Sequence, residues 1–260
     1  MKQKPPFTII YEDERIVVFN KASGIAVGAD RWDEKGERLD KLAASFLGTR
    51  LFTVHRIDRG TSGLVVFAKD AETHAFLSQA FENRLVKKRY TAAVNGRPAW
   101  KETDCDLPLV PDGNRQHLTI IDRYRGKKSF THFRLAVSAG NYSIVEALPE
   151  TGRTHQIRVH LAALGHPVVC DPLYGNRKPL FLSSFKRNWR GDPFDEKPLL
   201  ARLGLHAAEL ILPERGGLAG PLKLTAPLPR DMAALVNQME KEGNSAASLP
   251  RESTDLFECE

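Results

Sequence analysis

Three short stretches of this chain carry residue types that do chemistry. The first is His55-Arg56-Ile57-Asp58-Arg59-Gly60-Thr61-Ser62-Gly63, followed by Leu64-Val65-Val66-Phe67-Ala68. Glycines and hydroxyl residues mark a tight loop that feeds a buried strand. Asp58 lies in that loop between Arg56 and Arg59, and neighbouring cations favour the ionised carboxylate. Such a group suits a nucleophile or an electrostatic stabiliser better than a general acid. On local physics alone a turn aspartate accepting backbone hydrogen bonds, with solvated arginines, is the simpler reading.

The second stretch runs from Leu148 to Leu161 and contains Arg153-Thr154-His155-Gln156-Ile157-Arg158-Val159-His160. The pattern predicts a helix with Thr154 as its N-cap and a stop at Gly165, with Pro167 just beyond. Ile157, Leu161 and Leu164 form its apolar stripe, and Arg158 sits at the edge of that buried face. A partly buried arginine needs a carboxylate or phosphate partner, and a helix start is itself an anion site. The competing reading is an arginine that packs its stem and leaves its head in water. His155 and His160 are five apart, not the four of a helical zinc pair.

The third stretch, Arg84-Leu-Val-Lys87-Lys88-Arg89-Tyr90, leads four cations and an aromatic into a strand. A strand tyrosine is most often plain packing, but cations interleaved with an aromatic also suit a surface that grips a nucleic-acid backbone and stacks a base. The run Arg123-Tyr-Arg-Gly-Lys-Lys128, read as a hairpin turn, extends that surface or is a solvated loop.

Short strands dominate the elements that must position these groups. Phe7–Tyr11 and Arg15–Asn20 read as a hairpin around Glu12-Asp13-Glu14. Gly63–Lys69, Val86–Val94, His117–Asp122, Thr131–Val137, Tyr142–Leu148 and Leu205–Leu212 read as further strands, rich in Val, Ile, Phe, Tyr and Thr. Helical patterns cover only about 37–47, 71–83, 154–164 and 230–240. Runs of strands with occasional helices argue an α+β fold on a mixed, mainly antiparallel sheet. Residues 172–200, rich in Pro, Gly, basic and aromatic residues, read as a long loop. The expected organisation is one domain over residues 1–240 and an acidic, disordered tail over 241–260, where two cations face five carboxylates.

The whole chain has 260 residues, 42% apolar and 27% charged, which excludes fibrous and largely disordered classes. Its net charge of +6 fits a polyanionic partner without demanding one. Cys105, Cys170 and Cys259 are isolated, so neither a zinc site nor a disulfide framework is expected, and the reducing cytoplasm is the expected compartment. No signal-peptide pattern opens the sequence, and its apolar runs are strand-sized, too short to cross a bilayer. Monomer is the default expectation.

Taken together, the three stretches resemble the RluA-type family of pseudouridine synthases. The resemblance rests on His55–Gly63, on Lys88-Arg-Tyr-Thr-Ala-Ala-Val-Asn-Gly96, and on Thr151-Gly-Arg-Thr-His-Gln-Ile-Arg-Val-His160, in that order and spacing. It extends to Asp171-Pro-Leu-Tyr-Gly175 and Leu205-His-Ala207, over about residues 7–240. It implies the pseudouridine-synthase fold with a central basic cleft and an RNA isomerase needing neither metal nor cofactor. Asp58 matches the catalytic aspartate, Tyr90 the tyrosine that packs on the target uracil, and Arg158 the basic partner of the aspartate. Arg56 matches an arginine that enters the RNA stack where the base has left. His55, Arg59, Arg84, Lys87, Lys88, Arg153 and His155 are the expected RNA contacts beside them.

The sequence departs from the family in Lys21-Ala22-Ser23-Gly24, where proline usually follows the lysine, and in a longer insertion at about 176–200 with Lys186, Arg187, Trp189 and Arg190. The pattern begins by Phe7, so no small N-terminal RNA-binding domain is expected ahead of it. Ribosomal or transfer RNA is the implied substrate. The rivals are a catalytically silent RNA-binding factor and an N-glycosidase with Glu150 as its second carboxylate.

Overall fold

A computed structural model describes residues 5–29, 36–114, 118–214 and 221–245. Strands β1 (Phe7–Glu12) and β2 (Ile16–Lys21) form the first hairpin, and α1 (Leu39–Leu47) follows. β3 (Phe52–Thr53) and β4 (Ser62–Ala68) flank the Asp58 loop, then α2 (Ala71–Glu82) leads to β5 (Lys87–Asn95). β6 (Glu102–Cys105) precedes a separate two-stranded hairpin of β7 (Leu109–Val110) and β8 (Ile120–Ile121). β9 (Thr131–Ala139), β10 (Tyr142–Pro149) and α3 (Gln156–Ala163) carry the second stretch. β11 (Leu205–Leu212), β12 (Leu222–Thr225), α4 (Arg230–Glu242) and β13 (Asn244–Ser245) complete the described chain.

The main sheet runs β1-β2-β4-β11-β5-β10-β9-β13, with β3, β6 and β12 attached at its sides. Its one parallel pair among the described strands is β11 with β4; the rest are antiparallel. The α+β expectation therefore holds. Side chains alternate across a strand, and both faces are covered. Val17, Phe19, Val65 and Phe67 pack with α1, whereas Ile16, Val18, Leu64 and Val66 pack with α2. Ala92, Val94, Val145 and Ala147 pack with α3, whereas Ala93 and Ile144 pack with α4. Tyr90 touches both the α1 and the α3 cluster, so the catalytic stretches share that face.

The opposite face holds a ladder of alternating charges. Lys223 on β12 lies 3.7 Å from Glu209 on β11, which lies 3.1 Å from Arg89 on β5. Arg89 is also 3.1 Å from Glu146 on β10, which meets Arg134 on β9 at 3.6 Å; Arg134 meets Glu102 on β6 at 3.1 Å. Both central carboxylates are 2% exposed. Arg89 is thus committed to the sheet and does not join Tyr90 in a basic surface. Breaking a buried pair costs about 3–5 kcal/mol. Arg89→Met is expected to lower the unfolding free energy by that order in urea titration. A loss below about 1 kcal/mol would show that Arg134 and Lys223 suffice.

Four sequence expectations change. The helix predicted from Thr154 begins at Gln156: His155 takes the left-handed conformation at φ 55° and occupies the cap position, without a side-chain cap. The boundary at 240 is too early, since α4 runs to Glu242 and β13 pairs with β9; the rest of the predicted tail, 246–260, lies outside the described residues. The 176–200 segment is pinned to the core by backbone bonds between Leu180 and Leu200 and by buried Leu180, Phe185 and Leu200. The strand predicted over His117–Asp122 is reduced to Ile120–Ile121, and His117 lies outside the described residues.

Candidate active site

Asp58 sits in the turn between β3 and β4, where Thr61 N donates to its carbonyl at 3.0 Å. The loop is gripped from the side by the segment after β2. Ser23 Oγ donates to Gly60 O at 2.6 Å, Gly24 N to Arg59 O at 2.8 Å and Lys21 Nζ to Arg59 O at 3.1 Å. Lys21 also donates to Ala22 O and Ile25 O, so this buried lysine is a brace of the catalytic loop. Burial lowers its pKa to about 7, against the pull of the Asp58 charge. With Ala22 where the family usually has proline, the turn is held by the Lys21 and Ser23 hydrogen bonds. Gly63, at φ 113°, is needed where β4 crosses β11: a Cβ there would lie 2.2 Å from the Ala207 carbonyl oxygen.

The cation bonded to Asp58 comes from 100 residues away. Arg158 Nη1 donates to Asp58 Oδ2 at 3.0 Å. The rest of the guanidinium is clamped by Asp171, with Nε to Oδ2 at 2.8 Å and Nη2 to Oδ1 at 2.7 Å. Asp171 is fully buried, and its Oδ1 also accepts from Leu173 N and Tyr174 N. This carboxylate, which sequence reasoning missed because Asp-Pro reads as a turn, fixes Arg158 and leaves one nitrogen for Asp58. Burial disfavours the Arg158 charge, yet the Asp171 hydrogen bonds and the Asp58 charge hold its pKa above the ordinary arginine value. Burial likewise works against ionised Asp171, and Arg158 more than compensates, so Asp171 stays below the usual carboxylate range.

Tyr90, Ala207 and Gly63 lie in one row across β5, β11 and β4. Burial and then the nearby Asp58 charge push the Tyr90 phenol pKa up, so the hydroxyl keeps its proton at neutral pH. The structure therefore brings Asp58, Tyr90 and Arg158 together from β3–β4, β5 and α3.

His155 joins them. Its Nε2 is 3.9 Å from Asp58 Oδ2 and its Nδ1 is 2.9 Å from the Tyr174 hydroxyl, which accepts from Thr119 N at 3.0 Å. Burial lowers the His155 pKa despite Asp58 beside it. His155 is thus a neighbour of the carboxylate, which its assignment as an RNA contact did not include.

The other expected contacts divide. Arg56 is exposed, and its Nη1 donates to Ala29 O at 3.3 Å. Arg84 and Lys87 are exposed on the approach to β5. Arg153 Nε donates to Lys128 O at 3.2 Å, which ties two basic segments together. Lys88 Nζ reaches Thr151 O at 3.4 Å, and burial brings its pKa down to about 8. Arg59 contributes its carbonyl to the Lys21 brace. His55 has a structural task instead: Nε2 accepts from Val66 N at 3.1 Å and the ring stacks on Phe81 at 4.5 Å. Burial lowers its pKa to about 3, so it is neutral and a poor phosphate contact.

His206, buried on β11, is also neutral, lowered by burial to about 4. Below the ordinary histidine pKa of about 6.5 the unfolded chain takes up protons that folded His206 and His55 refuse. Stability is therefore expected to fall with decreasing pH from about 6.5 to 4. His206 alone contributes about 1.4 kcal/mol per pH unit, and above pH 7 the contribution vanishes. Thermal unfolding of wild type and His206→Gln across that range checks it: the variant's slope should be shallower.

Among the described residues no group of three or more His, Cys, Asp or Glu is placed to hold a metal ion, and no helix is long and apolar enough to cross a membrane. An aspartate held by a clamped arginine beside a protonated tyrosine is equipped for nucleophilic or electrostatic work. The model of the family described as RNA pseudouridylate synthase matches residues 15–163.

The chain belongs to that family.

Its kinship is of the RluA type. Dual-specificity RNA pseudouridine synthase RluA of Vibrio vulnificus is 36% identical over 212 residues, 79% of this chain and 77% of that relative. Ribosomal large subunit pseudouridine synthase D of Zymomonas mobilis is 39% identical over 185 residues, 68% of this chain. The match spans 58% of that relative's length. The solved structure of human RNA pseudouridylate synthase domain containing 4 superposes with a TM-score of 0.66 at 26% identity, over 89% of this chain and 92% of that one. The family is one of isomerases that convert uridine to pseudouridine in RNA.

Proposed function

We propose that this protein isomerises selected uridines of ribosomal or transfer RNA, with Asp58 as the nucleophile. The observation that carries this reading is the Arg158–Asp58 bond at 3.0 Å, made across 100 residues of sequence and beside Tyr90. In the reaction the bond from uracil N1 to ribose C1′ breaks and a bond from C5 to C1′ forms. The C5 proton leaves and N1 gains one, so nothing is oxidised and no group is imported. The base must first leave its stack, at a cost of a few kcal/mol. Exposed Arg56 is suited to stack in the vacated place. Asp58 attacks the ribose or the uracil ring, Arg158 orients it through their hydrogen bond, and Tyr90 packs against the base.

The RNA-facing surface extends to the 122–128 turn. Tyr124 there is 99% exposed between Arg123 and Arg125, an arrangement for base stacking and phosphate contact. One catalytic domain acting as a cytoplasmic monomer completes the reading.

Tritium at uracil C5 in ribosomal and transfer RNA transcripts tests it. Wild type is expected to release tritium into water from at least one RNA, with no free uracil. Free uracil would indicate the glycosidase. Tight RNA binding without release, unaffected by Asp58→Asn, would favour the silent RNA-binding factor.

A further inference from the structure

A second arginine–carboxylate pair stands behind the catalytic loop, outside the reacting groups. Arg202, just before β11, donates Nε to Asp231 Oδ2 at 2.7 Å and Nη2 to Asp231 Oδ1 at 2.8 Å, a bidentate bond to the first turn of α4. Its remaining nitrogen, Nη1, reaches Ser62 Oγ at 3.3 Å and Leu203 O at 3.2 Å. Ser62 closes the loop that bears Asp58, and its Oγ is 3.0 Å from His206 Nδ1. His206 Nε2 is 3.3 Å from Ala226 O. A carbonyl only accepts, so Nε2 carries the ring proton and Nδ1 accepts from the Ser62 hydroxyl. The hydroxyl's lone pairs then face Arg202. Every donor has an acceptor: Arg202 donates outward in both directions, to Asp231 on one side and through Ser62 and His206 to the Ala226 carbonyl on the other.

The adjoining packing leaves the loop little room. Gly60 has the Leu203 side chain 3.2 Å from where a Cβ would stand, and Gly63 abuts the Ala207 backbone. Segment 202–207 therefore lies directly against loop 60–63. Ser62 is 1% exposed, so its hydroxyl is unavailable to substrate and its bonds act within the protein.

We propose that Arg202, clamped by Asp231, is a positioning residue that fixes the exit of the catalytic loop and thereby the placement of Asp58 against Arg158. It holds the loop from behind, as Lys21 and Ser23 hold it from the side. A bidentate guanidinium has the fixed fork that one ammonium lacks, which suits a strut binding a carboxylate and a hydroxyl at once. The catalytic part of this inference rests on the uridine-isomerase reading, and small misplacements of a reacting group cost up to about 10²-fold in rate.

The test uses the full chain and variants Arg202→Met, Arg202→Lys and Asp231→Asn, each confirmed folded. On an RNA that wild type modifies, Arg202→Met is expected to lower kcat by about 10- to 100-fold with KM within about twofold. Arg202→Lys should fall between it and wild type. The Arg202→Met and Asp231→Asn effects should be less than multiplicative in the double variant. Unchanged kcat, or multiplicative effects, would overturn the proposal. Amide hydrogen exchange reads the strut without activity: residues 59–63 should exchange at least about tenfold faster in Arg202→Met. Faster exchange confined to α4 would mean that the pair merely docks the helix and would overturn the proposal. Absence of wild-type turnover on every RNA would count against the isomerase reading, and hydrogen exchange would still decide the strut.

Discussion

Asp58→Asn is expected to abolish tritium release from every RNA the wild type modifies, by about 10⁴-fold or more, as loss of a nucleophile does in other enzymes. Asparagine preserves the size of the side chain and an oxygen for Arg158 Nη1, so the loop geometry should survive. The side chain is 25% exposed, and the loop that carries it is braced through the Arg59 and Gly60 carbonyls, which the substitution does not touch. RNA affinity should remain within a few-fold of wild type. Single-turnover assays with enzyme in excess, alongside filter binding, separate the two. Activity retained within tenfold would remove Asp58 from the chemistry.

Arg158→Met is expected to lose both activity and stability. The substitution removes the one cation shared by Asp58 and Asp171 and leaves Asp171 ionised at zero exposure with only two backbone donors. Removing one partner of such a pair costs about 3–5 kcal/mol, or roughly 6–20 °C in Tm at this chain length. Asp58 loses its orienting donor at the same time. A second variant separates the effects. Arg158→Met with Asp171→Asn removes the stranded charge and should recover at least half of the lost stability. Its rate should stay as low as that of Arg158→Met alone. Recovery of rate together with stability would mean that Arg158 serves only the fold.

The reacting groups were legible because each stands in an unusual local setting. Asp58 sits among two arginines, two glycines and two hydroxyls, and Arg158 interrupts an apolar helix face. Longer elements were legible through periodicity, from the β1–β2 hairpin to β11 and α4. The strands missed, β3, β6, β7, β12 and β13, have two to four residues, too few to show alternation. Partners of the reacting groups were harder. Asp171 lies in a turn, and nothing local says that it faces an arginine thirteen residues back. Thr154 is a good N-cap by type, yet His155 takes the cap position while Gln156 Oε1 accepts from Arg153 N and Thr151 Oγ1. Arg89 read as one of four cations near RNA, because its two carboxylates lie on other strands. A signal did exist: Glu146 and Glu209 each interrupt an otherwise apolar strand, Ser-Ile-Val-Glu-Ala-Leu and Ala-Ala-Glu-Leu-Ile-Leu, and so require a buried partner.

The ladder of charges from Lys223 to Glu102 also constrains how the chain finds its fold. Each of six strands contributes one charge at one position, and neighbours carry opposite signs. A strand that slips by one residue turns its charge to the other face, and a slip of two carries it about 7 Å along the strand. On the three central strands either error strands Glu209, Arg89 or Glu146 in a site that largely excludes water, a penalty that apolar neighbours such as Ile144 and Val145 do not impose on a two-residue slip. The ladder therefore works as a proofreading key for strand pairing. It admits one alignment of β5, β10 and β11, and that alignment sets Tyr90 on the opposite face beside Gly63 and Asp58.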